Sequence, residues 1–293
     1  MKLAFSKLAQ SPAPVRIAAF LLALLLLWLP IALPIYWLVK DSNMVSILTI
    51  VILYSEFILL IRVWGRQVYH QPNLLWRYGL ERSRRIGLEL LSGLTIGCVS
   101  VLALFVTQSA FGWITWRSPS NALLQVAIEG LLVALGIGFA EELFFRGWLL
   151  DELQRDYAPQ VSLWVNASIF ALVHGFKPQF PALALLAVTL IWAKRSRTDS
   201  GDVPRLSRHE WRDQTLGLLR GRLGLPMGLH AGLVWGYYIL NVGQLLRYSP
   251  QAPEWLSGVD HNPLAGAIGV LFMSALAIGM WRYAKSQRVS ESH

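Results

Sequence analysis

Charge is what this sequence has least of. Only 15% of its 293 residues are Asp, Glu, Lys or Arg, against 55% hydrophobic, whereas soluble domains carry closer to a quarter charged residues. The shortage is uneven, because the charges collect in short stretches between long apolar runs. That pattern marks helices crossing a bilayer rather than a water-soluble core. Cysteine is almost missing: Cys98 stands alone, inside an apolar run. It excludes an intrachain disulfide and a thiolate metal site, and leaves the role of a small packed thiol. There is no His-Glu-x-x-His segment, so the helix-borne zinc site of soluble metalloproteases is excluded. Runs of short alternating strands are also missing, which leaves helix as the spanning form. No basic face on a soluble fold is visible, and the net charge of +9 therefore points to loop topology and to no nucleic-acid partner.

What is present is a series of apolar runs. Eight spans are expected, at 17–39, 44–64, 86–107, 122–145, 160–174, 180–193, 225–246 and 263–283, giving an all-α, polytopic transmembrane bundle. Lys2, Lys7 and Arg16 before the first run resemble the start of a signal peptide. The run from Ile17 to Val39 is long enough to span and is followed by no small-residue cleavage site, so it is expected to be a retained helix. With the N-terminus in the cytoplasm and strict alternation, the inside segments hold 22 of the 26 Lys and Arg, leaving outside only Lys40, Arg117, Lys177 and Arg247. This asymmetry places both termini in the cytoplasm. Two spans, 160–174 and 180–193, would cover only about 21–23 Å. They flank Gly175-Phe176-Lys177-Pro178-Gln179-Phe180-Pro181, which cannot continue a helix. Short, interrupted membrane helices line cavities, so a cavity is expected near residue 174. Residues 194–224 read as a polar cytoplasmic loop with an amphipathic helix near 207–220, held close to lipid headgroups. The expected organisation is two N-terminal helices with a basic loop in 1–85, followed by a core in 86–293.

Ionisable groups inside spans are costly and so demand a reason. The fourth span ends in Ala140-Glu141-Glu142-Leu143-Phe144-Phe145-Arg146. Glu142 and Arg146 are four apart and share a helix face, so they can pair. Glu141 points about 100° away and has no partner in its own helix. It is either neutral with a raised pKa or met by a donor from another helix, and either state suits a general base. For the Glu142–Arg146 pair a structural charge cluster at the membrane edge is an equal alternative. His174, ending the fifth span, and His230, near the start of the seventh, are the two histidines inside spans. Singly, each would be read as an interhelical hydrogen bond; together with two carboxylates they form a candidate site. Glu141, His174 and His230 are also a set that binds zinc with an open position. Glu56 and Glu129 are read as structural. Gly258-Val259-Asp260-His261-Asn262-Pro263 is read as a turn and cap before the last span.

The ordered set Glu-Glu-x-x-x-Arg, Phe-x-x-x-His and a later helix carrying His resembles the CPBP family of membrane proteins over about residues 122–246. That family includes the type II CAAX prenyl endopeptidases and bacteriocin-processing or bacteriocin-immunity proteins. The resemblance implies peptide-bond hydrolysis within the membrane, reached from the cytoplasm. Glu141 would activate water with His174, Glu142 and Arg146 would hold the site in shape, and His230 would stabilise the oxyanion. The implied partners are membrane lipids and a peptide or protein substrate, prenylated ones included, in a plasma or inner membrane. A zinc-assisted variant of the chemistry is compatible with the same residues. One departure stands out: the family usually has Asn or Asp four residues after the last His, where this chain has Val234. Asn241 lies about 16 Å along the helix axis, and the Trp235 N–H is misdirected. That departure supports an alternative, a CPBP-fold scaffold, immunity or partner-binding protein with weak or no catalysis. A third class, a transporter with a carboxylate proton relay, would show repeat symmetry, and none is visible.

Overall fold

Apolar stretches in lipid fold as helices because only there can the backbone satisfy its own N–H and C=O groups. The computed structural model describes residues 7–197 and 221–290. Its principal elements are α1 (Ala13–Leu38), α2 (Ser42–Gln67), α3 (Arg84–Ala110), α4 (Leu123–Glu142), α5 (Pro159–Val173), α6 (Phe180–Arg195), α7 (Gly224–Val242) and α8 (Ala267–Ser290). Each overlaps one of the eight expected spans, and the protein is a polytopic α-helical bundle. Among the described residues, five helices are long and apolar enough to cross a bilayer on their own: α1, α2, α3, α8 and α4 with its continuation. The other three are α5, α6 and α7, of 15, 16 and 19 residues. Every residue of α7 from Gly224 to Gly232 is buried. That half of the helix meets protein rather than lipid, so it needs no uniformly apolar surface.

The chain divides into two compact units, Met1–Arg77 with Asp151–Asp156, and Tyr78–Leu150 with Tyr157–His293. In the first unit α1 and α2 form an antiparallel pair joined through Asp41, whose carboxylate caps α2 by accepting from Met44 N–H at 2.8 Å. Phe20 meets Phe57 and Trp64 edge-on. Arg16, only 3% exposed, bonds Glu152 at 3.0 Å and Asp156 at 3.2 Å, and Tyr69 donates to Glu152 at 2.6 Å. A buried arginine with two carboxylates is a satisfied structural cluster.

The second unit is built around the α3–α7 contact. Gly93 and Gly97 on α3 face Gly228 and Gly232 on α7, and a Cβ at any of them would overlap the backbone of the other helix. Small residues let membrane helices approach until dispersion and weak polar contacts hold them. Gly138 brings α4 against α7 in the same way, a Cβ there lying 2.7 Å from Met227 O. Ile114–Trp116 (β1) pairs antiparallel with Leu246–Tyr248 (β2), joining the loops after α3 and α7. This short ladder was not expected from the sequence, where three-residue strands leave no periodic signal. Leu104 and Phe105 of α3, Leu240 of α7, Ile114 and Leu246 form a buried apolar cluster beneath it. Before α8, Asn262 accepts from Leu264 N–H, within the expected turn.

The expected polar loop needs correction at its two ends. Lys194 and Arg195 close α6 instead of opening a loop, and with Arg222 they are buried. Arg222 pairs with Glu89 at 2.6 Å, and Arg195 donates to Pro159 O at 2.9 Å. Charges placed at run ends can fold back onto carboxylates and helix-end carbonyls, and these do. The amphipathic helix expected near 207–220 lies outside the described residues.

Candidate active site

Glu141 and Glu142 stand inside a helix, not at its edge. The expected span ended at 145. The chain instead continues from α4 through a π-helical turn, Leu143–Leu149, into Leu150–Gln154, making one apolar helix Leu123–Gln154 of 32 residues. Glu141 is therefore followed by more than a dozen helical residues. This extension bears on depth: with strict alternation and a fourth span ending at 145, His174 would lie at the far end of its short helix and Glu141 at the near edge. With α4 prolonged, α5 begins well beyond Glu141 and its last turn returns to the level of that carboxylate. π-turns of this kind are uncommon and cluster at functional sites.

The structure brings all five expected side chains together. His174, the C-cap of α5, lies with Nε2 3.7 Å from Glu141 Oε2. His230 on α7 lies with Nε2 4.0 Å from the same oxygen. Its Nδ1 is 2.9 Å from Glu142 Oε1, which also accepts from Arg146 at 3.0 Å. Glu142 and Arg146 are fully buried, and the Arg146 guanidinium lies 4.3 Å above the Phe170 ring. Phe170 also meets both histidine rings, at 4.6 and 6.2 Å between centroids. One residue thus packs against the three cationic or basic groups of the site.

The partners fix the histidine tautomers. His174 Nδ1 faces Phe170 O at 2.8 Å; a carbonyl only accepts, so Nδ1 carries the proton and Nε2 turns a lone pair toward Glu141. His230 Nδ1 donates to Glu142, leaving Nε2 for the Glu141 side. Among the described residues, Glu141 Oε2 is buried without a hydrogen-bond partner. A carboxylate oxygen and an imidazole lone pair 3.7 Å apart both need a donor. A water about 2.8 Å from each would see them roughly 80° apart, within reach of its two O–H bonds.

These groups open onto a cavity of about 510 Å³. Glu141, His174 and His230 supply its polar wall. Leu183, Leu186, Leu233, Val234, Tyr237 and Met273 are among the mostly apolar remainder. Val234 faces the cavity one turn after His230, where the resemblance leads one to expect a donor. Asn241 also lines the cavity, but its amide donates to Tyr237 O at 3.1 Å and its oxygen accepts from Tyr248 at 2.7 Å. Trp235 donates to Ala127 O at 2.8 Å, away from the site. Neither replaces the missing group. Zinc at 2.0–2.1 Å from each ligand would draw ligand atoms to roughly 3.3 Å of one another. The observed separations are wider, and among the described residues no three His, Cys, Asp or Glu side chains form a metal-holding group. The residues as placed do not fit that ion.

Glu56 and Glu129 stay outside the cavity lining; Glu129 accepts from Gln125 one turn earlier in α4 at 2.8 Å. Two residues that sequence reasoning passed over bind the turn carrying the site. Asn166 donates to Phe145 O at 2.8 Å, and Lys194 donates to Arg146 O at 2.6 Å. A polar residue within the 160–174 run was the available signal for Asn166. Lys194 had none, since it resembled the first charge of a loop.

Residues 123–201 match the family model described as Type II CAAX prenyl endopeptidase Rce1-like. No curated protein and no solved structure matches the chain.

Proposed function

We propose, from the match of residues 123–201 to the Type II CAAX prenyl endopeptidase Rce1-like model, an intramembrane endopeptidase of the CPBP type in which Glu141 and His174 activate one water. The observation that carries this reading is the unsatisfied Glu141 oxygen facing the His174 lone pair across 3.7 Å at the cavity wall. The water donates one hydrogen to each, so its own lone pair is directed into the cavity. As its oxygen attacks the scissile carbonyl carbon, Glu141 takes the proton. The carbonyl oxygen becomes an oxyanion, and His230 in its imidazolium form, with Nδ1–H held by Glu142, donates to it from Nε2–H. Glu141 then passes its proton to the departing amide nitrogen. The C–N bond breaks, giving a carboxylic acid, which keeps the second water hydrogen, and an amine. Arg146 and Glu142 keep His230 aimed, much as a buried carboxylate orients the histidine of a serine protease.

The apolar lining suits a hydrophobic segment of a membrane-associated peptide, and a prenylated C-terminal tail is the substrate class proposed. Plasma or inner membrane is the proposed location. The test is cleavage of a prenylated peptide reporter by reconstituted protein. Glu141→Gln and His174→Ala are each expected to lower turnover by about 10²–10⁴-fold. Turnover equal to wild type in both would remove the enzyme claim. The apolar Val234 at the oxyanion side favours a second reading, a scaffold or immunity protein; an inactive wild type that still binds the reporter would select it.

A further inference from the structure

The π-turn that follows the two glutamates is held from outside by two other helices. Its Phe145 carbonyl takes the π-type bond from Leu150 N–H and a second bond from Asn166 of α5. The next carbonyl, of Arg146, accepts from Lys194 of α6. Asn166 is fully buried and Lys194 is 3% exposed. A buried ammonium is tolerated only where it is bonded, and a partner of this one is the carbonyl that the π-turn leaves on Arg146. The turn carries Arg146 itself, and the residues immediately before it are Glu141 and Glu142. A helix relaxing from π to regular α geometry would rotate the later residues by part of a turn relative to the earlier ones. Arg146 would then leave Glu142, and His230 would lose its fixed acceptor.

We infer that Lys194 and Asn166 are positioning residues, which hold the Leu143–Leu149 turn and through it the Glu142–Arg146–His230 arrangement. This rests on the proposed hydrolase reading for its kinetic consequence, but not for its structural one.

The experiment uses the full chain in liposomes, with Lys194→Met and Asn166→Leu as variants that keep volume and remove the donor. With a reporter that wild type cleaves and Glu141→Gln does not, kcat should fall at least tenfold in each. KM should stay within twofold and the melting midpoint within a few degrees. Lys194→Gln, which keeps an N–H donor, should recover part of the lost kcat. In parallel, the hydrogen-bonded Nδ1–H proton of His230 should shift in the NMR spectrum of both donorless variants. If kcat and the His230 signal are unchanged, or if both variants simply fail to fold, the inference is overturned in favour of ordinary packing. A wild type without activity whose His230 signal still moves in the variants would retire the hydrolase reading and keep the positioning role.

Discussion

Replacing Val234 by Asn would put an amide one turn beyond His230 on the cavity side of α7, where the chain now has only methyl groups. An added donor at a developing oxyanion is worth a few kcal/mol in a preorganised site, so Val234→Asn is expected to raise kcat about tenfold or more on the peptide reporter. Unchanged turnover would mean that the oxyanion forms out of reach of position 234. At this scale much of the site was legible: Glu141, Glu142, His174 and His230 stand out because ionisable groups inside apolar runs need partners, and Arg146 because it lies four residues from Glu142. Lys194 was not legible. A lysine ending an apolar run looks the same whether it enters water or turns back to bond a buried carbonyl. Asn166 was visible as a polar residue in a span, but its acceptor is a carbonyl freed by a turn geometry that composition does not encode.

Among elements, the α3–α7 contact sets the position of His230. Gly228 packs so closely on Leu90 O that a methyl group cannot be added without parting the helices. In an isolated helix Gly→Ala is favourable by about 1 kcal/mol. Here Gly228→Ala is expected to destabilise by roughly 1–3 kcal/mol through overpacking, read as a lower melting midpoint in detergent. A higher midpoint would show that α3 and α7 are not locked through their backbones. The helices themselves were legible from hydropathy, and so was the break between α5 and α6. The length of α4 was not: Phe145-Arg146-Gly147 reads as an end, since a charge followed by glycine commonly stops a helix. It continues because Arg146 is neutralised by Glu142.

For the whole molecule, the expectation of cytoplasmic termini rests on loop charge. Burial of Arg16, Arg146, Lys194, Arg195 and Arg222 takes these residues out of that argument. The remaining excess, led by Arg62, Arg66, Arg82, Arg84 and Lys285, still falls on one side under alternation. In a Cys98→Ser background, a cysteine at Ser286 is expected to react with an impermeant thiol reagent only from the cytoplasmic face, and one at Gln251 only from the opposite face. Labelling of both from the same face would overturn the proposed orientation. The small ladder of β1 and β2 bears on how a substrate arrives. Strapping together the loops beyond α3 and α7, with Phe105, Ile114 and Leu246 wedged underneath, it ties that end of the two helices to each other. Under the hydrolase proposal, a peptide would therefore come in sideways between helices or from the mouth away from the ladder, and its severed piece would leave by the same door.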